Sequence, residues 1–135
     1  MPLRSQGAEQ ARSAGAGQVL VVDDDEPLAR MLAEFLTEQG FEADWAGSGR
    51  AALEKVRQAP PDAMVLDLRM PEMDGRALLA QVRELNLSPS VVLLSADREV
   101  AAAARELLCE AFVEKPFSPD GLLAALRGAL RNRAP

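Results

Sequence analysis

The sequence predicts an α/β protein in which helices cover both faces of a five-stranded parallel sheet. Three observations lead to this prediction: five short apolar runs alternate with five segments of helical periodicity, the loops between them are short, and the length of 135 residues suits a single domain. Parallel pairing follows from the alternation, because each intervening helix returns the chain to the end of the sheet where the previous strand began.

The first half of the chain contains two strand–helix units. The apolar run VLVV at residues 19–22 predicts a strand buried on both faces. The next segment repeats large apolar residues at helical spacing, with Pro27 suited to the first turn and Gly40 to the end of the helix. Residues 42–46 predict a short second strand, and Ser48 is a suitable N-cap for a helix that continues to about residue 58.

The second half repeats the alternation. Its strands are short and mainly apolar, and its helices carry apolar or alanine residues at helical spacing. The strands are expected at residues 63–66, 91–94 and 111–114, and the helices at about 76–85, at about 98–108 and from Ser118-Pro119 onward.

Composition excludes several classes of function. The chain has no histidine, which removes Ser-His and Cys-His catalysis, histidine-ligated zinc and the role of a phosphohistidine donor. A net charge of −6 argues against direct nucleic-acid binding, which needs a basic surface. The single cysteine, Cys109, cannot form an internal disulfide and fits a reducing compartment. No apolar run approaches the roughly 20 residues of a membrane helix.

The first 17 residues differ in composition from the rest of the chain. Residues 1–17 are mostly small and polar, so they bury too little apolar surface to offset the conformational entropy lost on ordering. We expect them to form a flexible leader ahead of a folded domain at residues 18–132. They contain no apolar segment of the kind found in secretory signals. We therefore expect a cytoplasmic protein without a membrane segment.

Polar side chains follow four of the five predicted strands. Asp23 and Asp24 follow the first strand. Asp67, Ser95 and Lys115 follow the third, fourth and fifth strands. In a parallel sheet these ends meet at one edge, where ligands bind. Clustered carboxylates repel one another unless a cation lies between them, and Mg²⁺ prefers oxygen ligands. Mg²⁺ and a lysine at this edge would stabilise a phosphoryl group on Asp67, with the Ser95 hydroxyl bonded to one of its oxygens.

Each of these residues also has an ordinary structural interpretation. A run of three aspartates suits a solvated turn or a helix N-terminus, and a single aspartate after a strand suits a turn. Ser95 could cap a helix, and Lys115 could lie in a surface turn. The arrival of suitable groups at the ends of four different strands favours a functional site.

The segments VLVVDDDEP, VLDLRMPEMDG, LLSA and FVEKPF, in this order, resemble the receiver domain of two-component response regulators. The resemblance covers about residues 18–131 and implies a flavodoxin-like, doubly wound sheet with strand order 2-1-3-4-5. It implies that Asp67 is the phosphoacceptor and one of the ligands of Mg²⁺. Asp23 and Asp24 are implied as further metal-binding residues, and the main-chain carbonyl of Arg69 as another ligand.

The same resemblance implies roles for further residues and for partners. Ser95 and Lys115 would contact the phosphoryl group, Phe112 would move inward when Ser95 does so, and the Lys115–Pro116 bond would be cis. The implied donor is a histidine kinase or phosphotransfer protein. The signal would pass to a downstream effector protein or to an output domain outside this sequence, and phosphorylation-dependent dimerisation is one form of output. Beyond modest self-phosphorylation and autodephosphorylation, the chain is not expected to be an enzyme.

The segment before the fifth strand departs from the family pattern. The helix at about 98–108 is mostly alanine and buries little area, so we expect it to be the mobile element. Leu108, Cys109 and Glu110 stand where glycine and small residues are usual, and a left-handed turn costs a non-glycine residue about 1–2 kcal/mol. A rebuilt turn is therefore expected here. Cys109 is expected to be a buried or half-buried small side chain rather than a redox sensor.

Three other functions remain open from the sequence. Residues 47–52 fit the pattern G-x-G-x-x-A between a strand and a helix, as in nucleotide-binding domains. A phosphohydrolase with an aspartyl-phosphate intermediate would use a similar sheet, but it needs a second aspartate where Arg69 stands. The third alternative is an inactive, receiver-like interaction module.

Overall fold

A computed structural model describes residues 17–132 of the chain, so the leader predicted at residues 1–17 lies outside the described residues apart from Gly17. Within the described range, the strands β1 to β5 span Gln18–Val22, Glu42–Ala46, Ala63–Asp67, Ser90–Ser95 and Ala111–Glu114. The helices α1 to α5 span Glu26–Glu38, Gly49–Gln58, Gly75–Glu84, Val100–Glu106 and Pro119–Arg131. Helix α4 is shorter than predicted, because the residues from Asp97 to Glu99 form a turn in which the Asp97 carboxylate accepts a hydrogen bond from the Glu99 N–H.

The five strands run parallel in the order β2-β1-β3-β4-β5, which confirms the predicted sheet. The chain moves from β1 outward to β2 and then crosses back to β3 on the other side of β1. The direction of winding reverses between β1 and β3, so a crevice opens at the C-terminal ends of these two strands. The predicted site residues follow these ends.

Two apolar layers hold the helices against the sheet, one on each face. In β1, Leu20 and Val22 belong to the layer that contains α2, α3 and α4. Val19 and Val21 belong to the layer that contains α1 and α5. Every residue of β3 and β4 is buried, as expected for central parallel strands with both faces covered.

Side-chain caps determine where four of the helices begin. Asp25, Ser48, Asp74 and Ser118 each accept a hydrogen bond from the main-chain N–H three residues later. The prediction that Ser48 caps α2 is confirmed. Asp25 also shows that one member of the acidic triplet has the ordinary role of a helix cap.

Three helices are followed by a residue with left-handed backbone. These residues are Gly40 after α1, Asn86 after α3 and Leu108 after α4, with φ of 100°, 62° and 58°. After α4, the Cys109 N–H bonds to the Ala104 carbonyl at 2.8 Å, and the Leu108 N–H also bonds back into the last turn, which forms a Schellman motif. Leu108 therefore adopts the left-handed conformation itself, and the turn is not rebuilt to avoid it, contrary to the expectation from the sequence.

At Trp45, the outer edge of the sheet is covered by side chains of β2 and of the neighbouring helices α1 and α2. Two cations lie over the Trp45 ring, with the Arg30 guanidinium 5.3 Å and the Lys55 ammonium 5.8 Å from its centroid. Lys55 Nζ donates to the Trp45 carbonyl at 2.6 Å, and the Trp45 N–H donates to the Asp44 carboxylate at 2.8 Å. The main-chain groups of Trp45 are therefore already hydrogen-bonded.

Candidate functional site

The C-terminal edge of the sheet brings together the residues that the sequence singled out. Asp23 follows β1, Asp67 ends β3, Ser95 ends β4 and Lys115 follows β5. Parallel register places these ends side by side; Asp67, for example, is the register partner of Leu94, the residue before Ser95. The predicted convergence of four strand ends is therefore present.

Three carboxylates form the acidic part of this edge. Each of Asp23, Asp24 and Asp67 offers an oxygen, and these oxygens lie within 4.8 Å of one another. Asp23 is completely buried and Asp67 nearly so, whereas Asp24 is exposed. Main-chain donors hold the two buried groups, because the Asp25 N–H bonds to Asp23 at 3.0 Å and the Arg69 N–H bonds to Asp67 at 3.3 Å.

Lys115 places a positive charge beside both buried carboxylates. Its Nζ lies 2.9 Å from Asp23 Oδ2 and 3.6 Å from Asp67 Oδ2. Its main-chain N–H bonds to the Ser95 carbonyl at 2.9 Å, which joins the end of β5 to the end of β4. The Lys115–Pro116 bond is cis, as the family resemblance implied.

The crowding of these groups changes how they ionise. Burial, and then the neighbouring Asp23 carboxylate, raise the pKa of Asp67 to about 7, against the opposing effects of Lys115 and of the Arg69 N–H. Burial alone would lower the pKa of Lys115, but its contacts with Asp23 and Asp67 outweigh that effect and raise it. Asp67 is thus a carboxylate that gains from a further cation, beside a lysine that stays charged.

Ser95 lies at the same edge with its side chain buried. Its Oγ accepts a hydrogen bond from the Asp97 N–H at 2.9 Å. The Asp97 carboxylate in turn accepts from the Arg69 guanidinium at 2.6 Å. The sequence reasoning missed Asp97, although its position two residues after a strand-end serine is one at which a main-chain N–H often returns to a hydroxyl. Asp97 connects Ser95 to the loop that follows Asp67.

Gly75 allows the loop after Asp67 to close against the strand. A Cβ atom at Gly75 would lie 2.7 Å from the Asp67 carbonyl oxygen and 3.0 Å from the Leu68 Cα. The Gly75 N–H bonds to the Leu68 carbonyl at 3.0 Å, which closes the loop RMPEMDG just before α3. Glycine is required here for close approach of two main chains, and the approach fixes the direction of the Asp67 backbone.

The three carboxylates fit a hard divalent cation. Mg²⁺ commonly takes one or two carboxylates and keeps several waters, and the exposed Asp24 leaves the solvent side of the cluster open for them. Three carboxylates share this edge with the single ammonium group of Lys115, which leaves negative charge for a cation to neutralise. Asp23, Asp24 and Asp67 are therefore suited to Mg²⁺. The Arg69 main-chain N–H lies at the site, and the metal-ligand role of its carbonyl stays a prediction.

Phe112 lies on the edge strand β5 rather than at the acidic cluster. Its register partner is Leu93, which belongs to the apolar layer that contains α4. The Phe112 side chain is 45% exposed. Phe112 is therefore exposed enough to change position, and it lies on the side of the sheet that α4 covers. Its role as a switch residue stays a prediction.

The glycine pattern at residues 47–52 has a packing explanation. A Cβ at Gly47 would lie 2.7 Å from Glu26 Oε2, and a Cβ at Gly49 would lie 2.8 Å from the Met73 Cβ. The carboxylate of Glu26 beside Gly47 would repel the phosphates of a dinucleotide. The turn also follows the edge strand β2 and not the buried first strand. These observations argue against the nucleotide-binding alternative.

The fold and the site define the class of protein to which this chain belongs: a doubly wound α/β domain with an acidic cluster, a serine and a lysine at the C-terminal edge of its sheet. The sequence model of the response regulator receiver domain family matches residues 19–127 of this chain. The chain belongs to this family, whose members act as phosphoacceptors in two-component signalling. Within the described residues, no helix is long and apolar enough to cross a membrane.

Relatives and solved structures agree with this assignment. The chain is 40% identical over 116 residues to the regulatory protein AtoC of Escherichia coli, and 36% identical over 117 residues to the sensory transduction protein RegX3 of Mycolicibacterium smegmatis. These alignments cover 84% and 86% of this chain but only 25% of AtoC and 51% of RegX3. The chain therefore spans at most about half the length of these relatives.

Two solved structures of similar size superpose over most of the chain. Chemotaxis protein CheY4 of Vibrio cholerae is 28% identical with a TM-score of 0.76, and the alignment covers 83% of this chain and 97% of that protein. The receiver domain of NtrX from Brucella abortus is 28% identical with a TM-score of 0.78, covering 85% of this chain and 99% of that domain. The flavodoxin-like architecture is thus shared with known receiver domains.

Proposed function

We propose that Asp67 accepts a phosphoryl group from the phosphohistidine of a histidine kinase or phosphotransfer protein. The observation that carries this proposal is the position of Asp67, whose buried carboxylate lies within 4.8 Å of oxygens of Asp23 and Asp24 and 3.6 Å from the ammonium group of Lys115. A carboxylate in this setting gains from cations that also neutralise the oxygens of a phosphoryl group.

The transfer is an in-line displacement at phosphorus. A carboxylate oxygen of Asp67 forms the new O–P bond while the N–P bond of the phosphohistidine breaks, and the imidazole leaves with the electron pair of that bond and takes up a proton. Bound Mg²⁺ would neutralise charge on the phosphoryl oxygens. The resulting acyl phosphate is hydrolysed when water attacks phosphorus, which releases inorganic phosphate and restores the carboxylate.

The side chains of this chain orient the reaction and balance its charge. Asp23 and Asp24 supply the negative groups that hold the metal. Lys115, 2.9 Å from Asp23 and 3.6 Å from Asp67, places its ammonium where the phosphoryl oxygens arrive. No aspartate stands two residues after Asp67 to act as a general acid or base, since that residue is Arg69. We therefore expect only modest self-phosphorylation and autodephosphorylation, and negligible turnover of small phosphate esters.

The output is a shift in the face formed by α4, β5 and α5. When the Ser95 hydroxyl turns to the phosphoryl group, the end of β4 moves, and the exposed Phe112 side chain can then pack inward on the α4 side of the sheet. This face would contact a downstream effector, an output domain or a second copy of the chain. Two of the three buried residues of α4 are alanines, which supports the proposal that this helix moves.

Phosphorylation by a small-molecule donor such as phosphoramidate tests the assignment directly. With Mg²⁺, intact mass should show one added phosphoryl group that hydroxylamine removes, as expected for an acyl phosphate. Asp67→Asn should remain unmodified, and Asp24→Asn should need a higher Mg²⁺ concentration. The exposed Asp44, on the far edge strand, offers a matched control, and Asp44→Asn should be modified like the natural sequence. Modification of Asp67→Asn to the same extent would disprove the proposal.

A further inference from the structure

Three arginines attach α4 to the neighbouring loop and helix. Arg69, Arg76 and Arg83 are seven residues apart, in the loop after Asp67 and along α3. Arg69 pairs with Asp97 at 2.6 Å, Arg76 pairs with Glu106 at 2.5 Å, and Arg83 donates to the Leu108 carbonyl at 3.3 Å. These acceptors lie before α4, in its last turn and just after it. Each end of the helix is thus held by a guanidinium group.

The apolar attachment of α4 is weak by comparison. Its buried residues are Val100, Ala103 and Ala104, so only one side chain larger than a methyl group is fully enclosed. The neighbouring α3 buries two leucines and a valine. Because buried alanines remove little area from water, the polar contacts have a larger share in fixing the position of α4 than they would in a leucine-rich helix.

Asp97 connects these contacts to the phosphoryl site. Its N–H is bonded to Ser95 Oγ, and its carboxylate bonds both Arg69 and the Glu99 N–H just before α4. If the Ser95 hydroxyl turns toward a phosphoryl group on Asp67, the Asp97 N–H loses its acceptor. The turn at Asp97 then loses one of the hydrogen bonds that hold it, next to its ion pair with Arg69.

We infer that the ion pairs Arg69–Asp97 and Arg76–Glu106 form a salt-sensitive latch that holds α4 in its resting position and opposes the phosphorylated conformation. This inference rests on the proposed function, since it concerns the response to a group on Asp67. The Arg76–Glu106 pair is exposed, with side chains 45% and 66% accessible, so dissolved ions screen it readily. The latch therefore makes the response of this domain depend on ionic strength.

The Arg76–Glu106 pair is the place to test the latch, because neither residue touches Asp67, Ser95 or Lys115. Arg76→Gln and Glu106→Gln each remove the ion pair while keeping a polar side chain, and Glu106→Gln also keeps the side-chain length. Releasing α4 increases the fraction of molecules that can bind a phosphoryl analogue, and apparent affinity rises in proportion to that fraction. We expect each variant to bind beryllofluoride with Mg²⁺ about two- to fivefold more tightly at low salt. The double variant should match the single ones.

The Lys55–Asp44 pair provides a matched control. Its side chains are 40% and 62% accessible, close to those of Arg76 and Glu106, but it lies at the opposite edge of the sheet. Asp44→Asn should leave the affinity unchanged. High salt should bring the natural sequence to the affinity of the latch variants, and the α4 amide signals of the unliganded variants should move toward their positions in the beryllofluoride complex.

The outcomes separate the latch from the proposed function. If the natural sequence does not bind beryllofluoride, or if Asp67→Asn binds it equally well, the proposed function is wrong and the latch with it. If binding depends on Asp67 but Glu106→Gln behaves like Asp44→Asn at every salt concentration, the latch alone is wrong. Tighter binding by both latch variants, with no further gain in the double variant, supports it.

Discussion

Leu108 should destabilise the folded chain, and glycine in its place should stabilise it. The residue has φ of 58° at the end of α4, in a conformation that costs a non-glycine residue about 1–2 kcal/mol. Its side chain is 76% exposed, so little packing is lost when it is removed. Glycine has a greater conformational entropy in the unfolded chain, which cancels about 0.5–1 kcal/mol of the gain from relieving the strain. Leu108→Gly should therefore raise the free energy of unfolding by about 0.5–1 kcal/mol.

The chain contains the comparisons needed to isolate this effect. Leu108→Ala removes the same side chain but keeps the strain, so it should change stability by less than about 0.5 kcal/mol. Gly40 has φ of 100°, and a Cβ there would meet no atom within 4 Å, so Gly40→Ala adds strain without a clash. It should lower stability by about 0.5–1 kcal/mol. Asn86→Gly should change stability by a smaller amount, because asparagine tolerates this conformation.

Urea unfolding, followed by circular dichroism, measures these differences, since a single domain of this size usually unfolds in one cooperative step. The slope with urea should stay constant across the series while the midpoint moves. If Leu108→Gly proves no more stable than Leu108→Ala, the left-handed strain assigned to Leu108 is absent and the reasoning fails.

Three further predictions concern the site and its surroundings. Gly75→Ala should lose about 1–3 kcal/mol of stability and accept a phosphoryl group more slowly, because its Cβ would lie 2.7 Å from the Asp67 carbonyl oxygen. Gly128→Ala is the control, since a Cβ at this position in α5 would have no contact closer than 3.8 Å. This variant should be at least as stable as the natural sequence in the same urea titration. Burial raises the pKa of Cys109 to about 11, so alkylation of the folded protein at pH 8 should be slower than that of the urea-unfolded protein by about 100-fold, and equal rates would show an open thiol. The pKa of Asp67 is raised to about 7, so the folded state binds this proton more tightly than the unfolded state; stability from this group is present below pH 4 and disappears as pH rises through 7. Without metal at pH 8, Asp67→Asn should therefore be more stable than the natural sequence, and the difference should shrink toward pH 5. Mg²⁺ should stabilise the natural sequence more than the variant. A constant difference between the two across this pH range would contradict the assignment.

The sheet can be predicted from the sequence because its central strands are short apolar runs bounded by turn residues. The fully apolar runs of β1, β3 and β4 are buried on both faces, and turn residues separate each of them from the following helix. The strand order came from the family resemblance. The site was also predictable, since parallel strands must bring their C-terminal residues to one edge, and the polar residues Asp23, Asp67, Ser95 and Lys115 interrupt otherwise apolar segments there.

The contacts around α4 could not be predicted in the same way. Arg76 and Glu106 are far apart in the sequence and both are exposed, so nothing in the local pattern distinguishes them from unpaired surface charges. The sequence predicts a longer α4 because alanine favours helix through the whole segment, whereas two bonds hold a turn before Val100: the Asp97 N–H donates to Ser95 Oγ, and the Glu99 N–H donates to the Asp97 carboxylate. A long-range contact decides the first feature, and local side-chain bonds decide the second.

The covered edge at Trp45 limits how this molecule can assemble. A second polypeptide that extended the sheet beyond β2 would first have to displace Lys55 from the Trp45 carbonyl and Asp44 from its N–H. Natural sheets avoid fibre-like growth by blocking edges in this manner, and a lysine is a common blocker. The addition of a further strand beside β2 is therefore opposed at the position of Trp45.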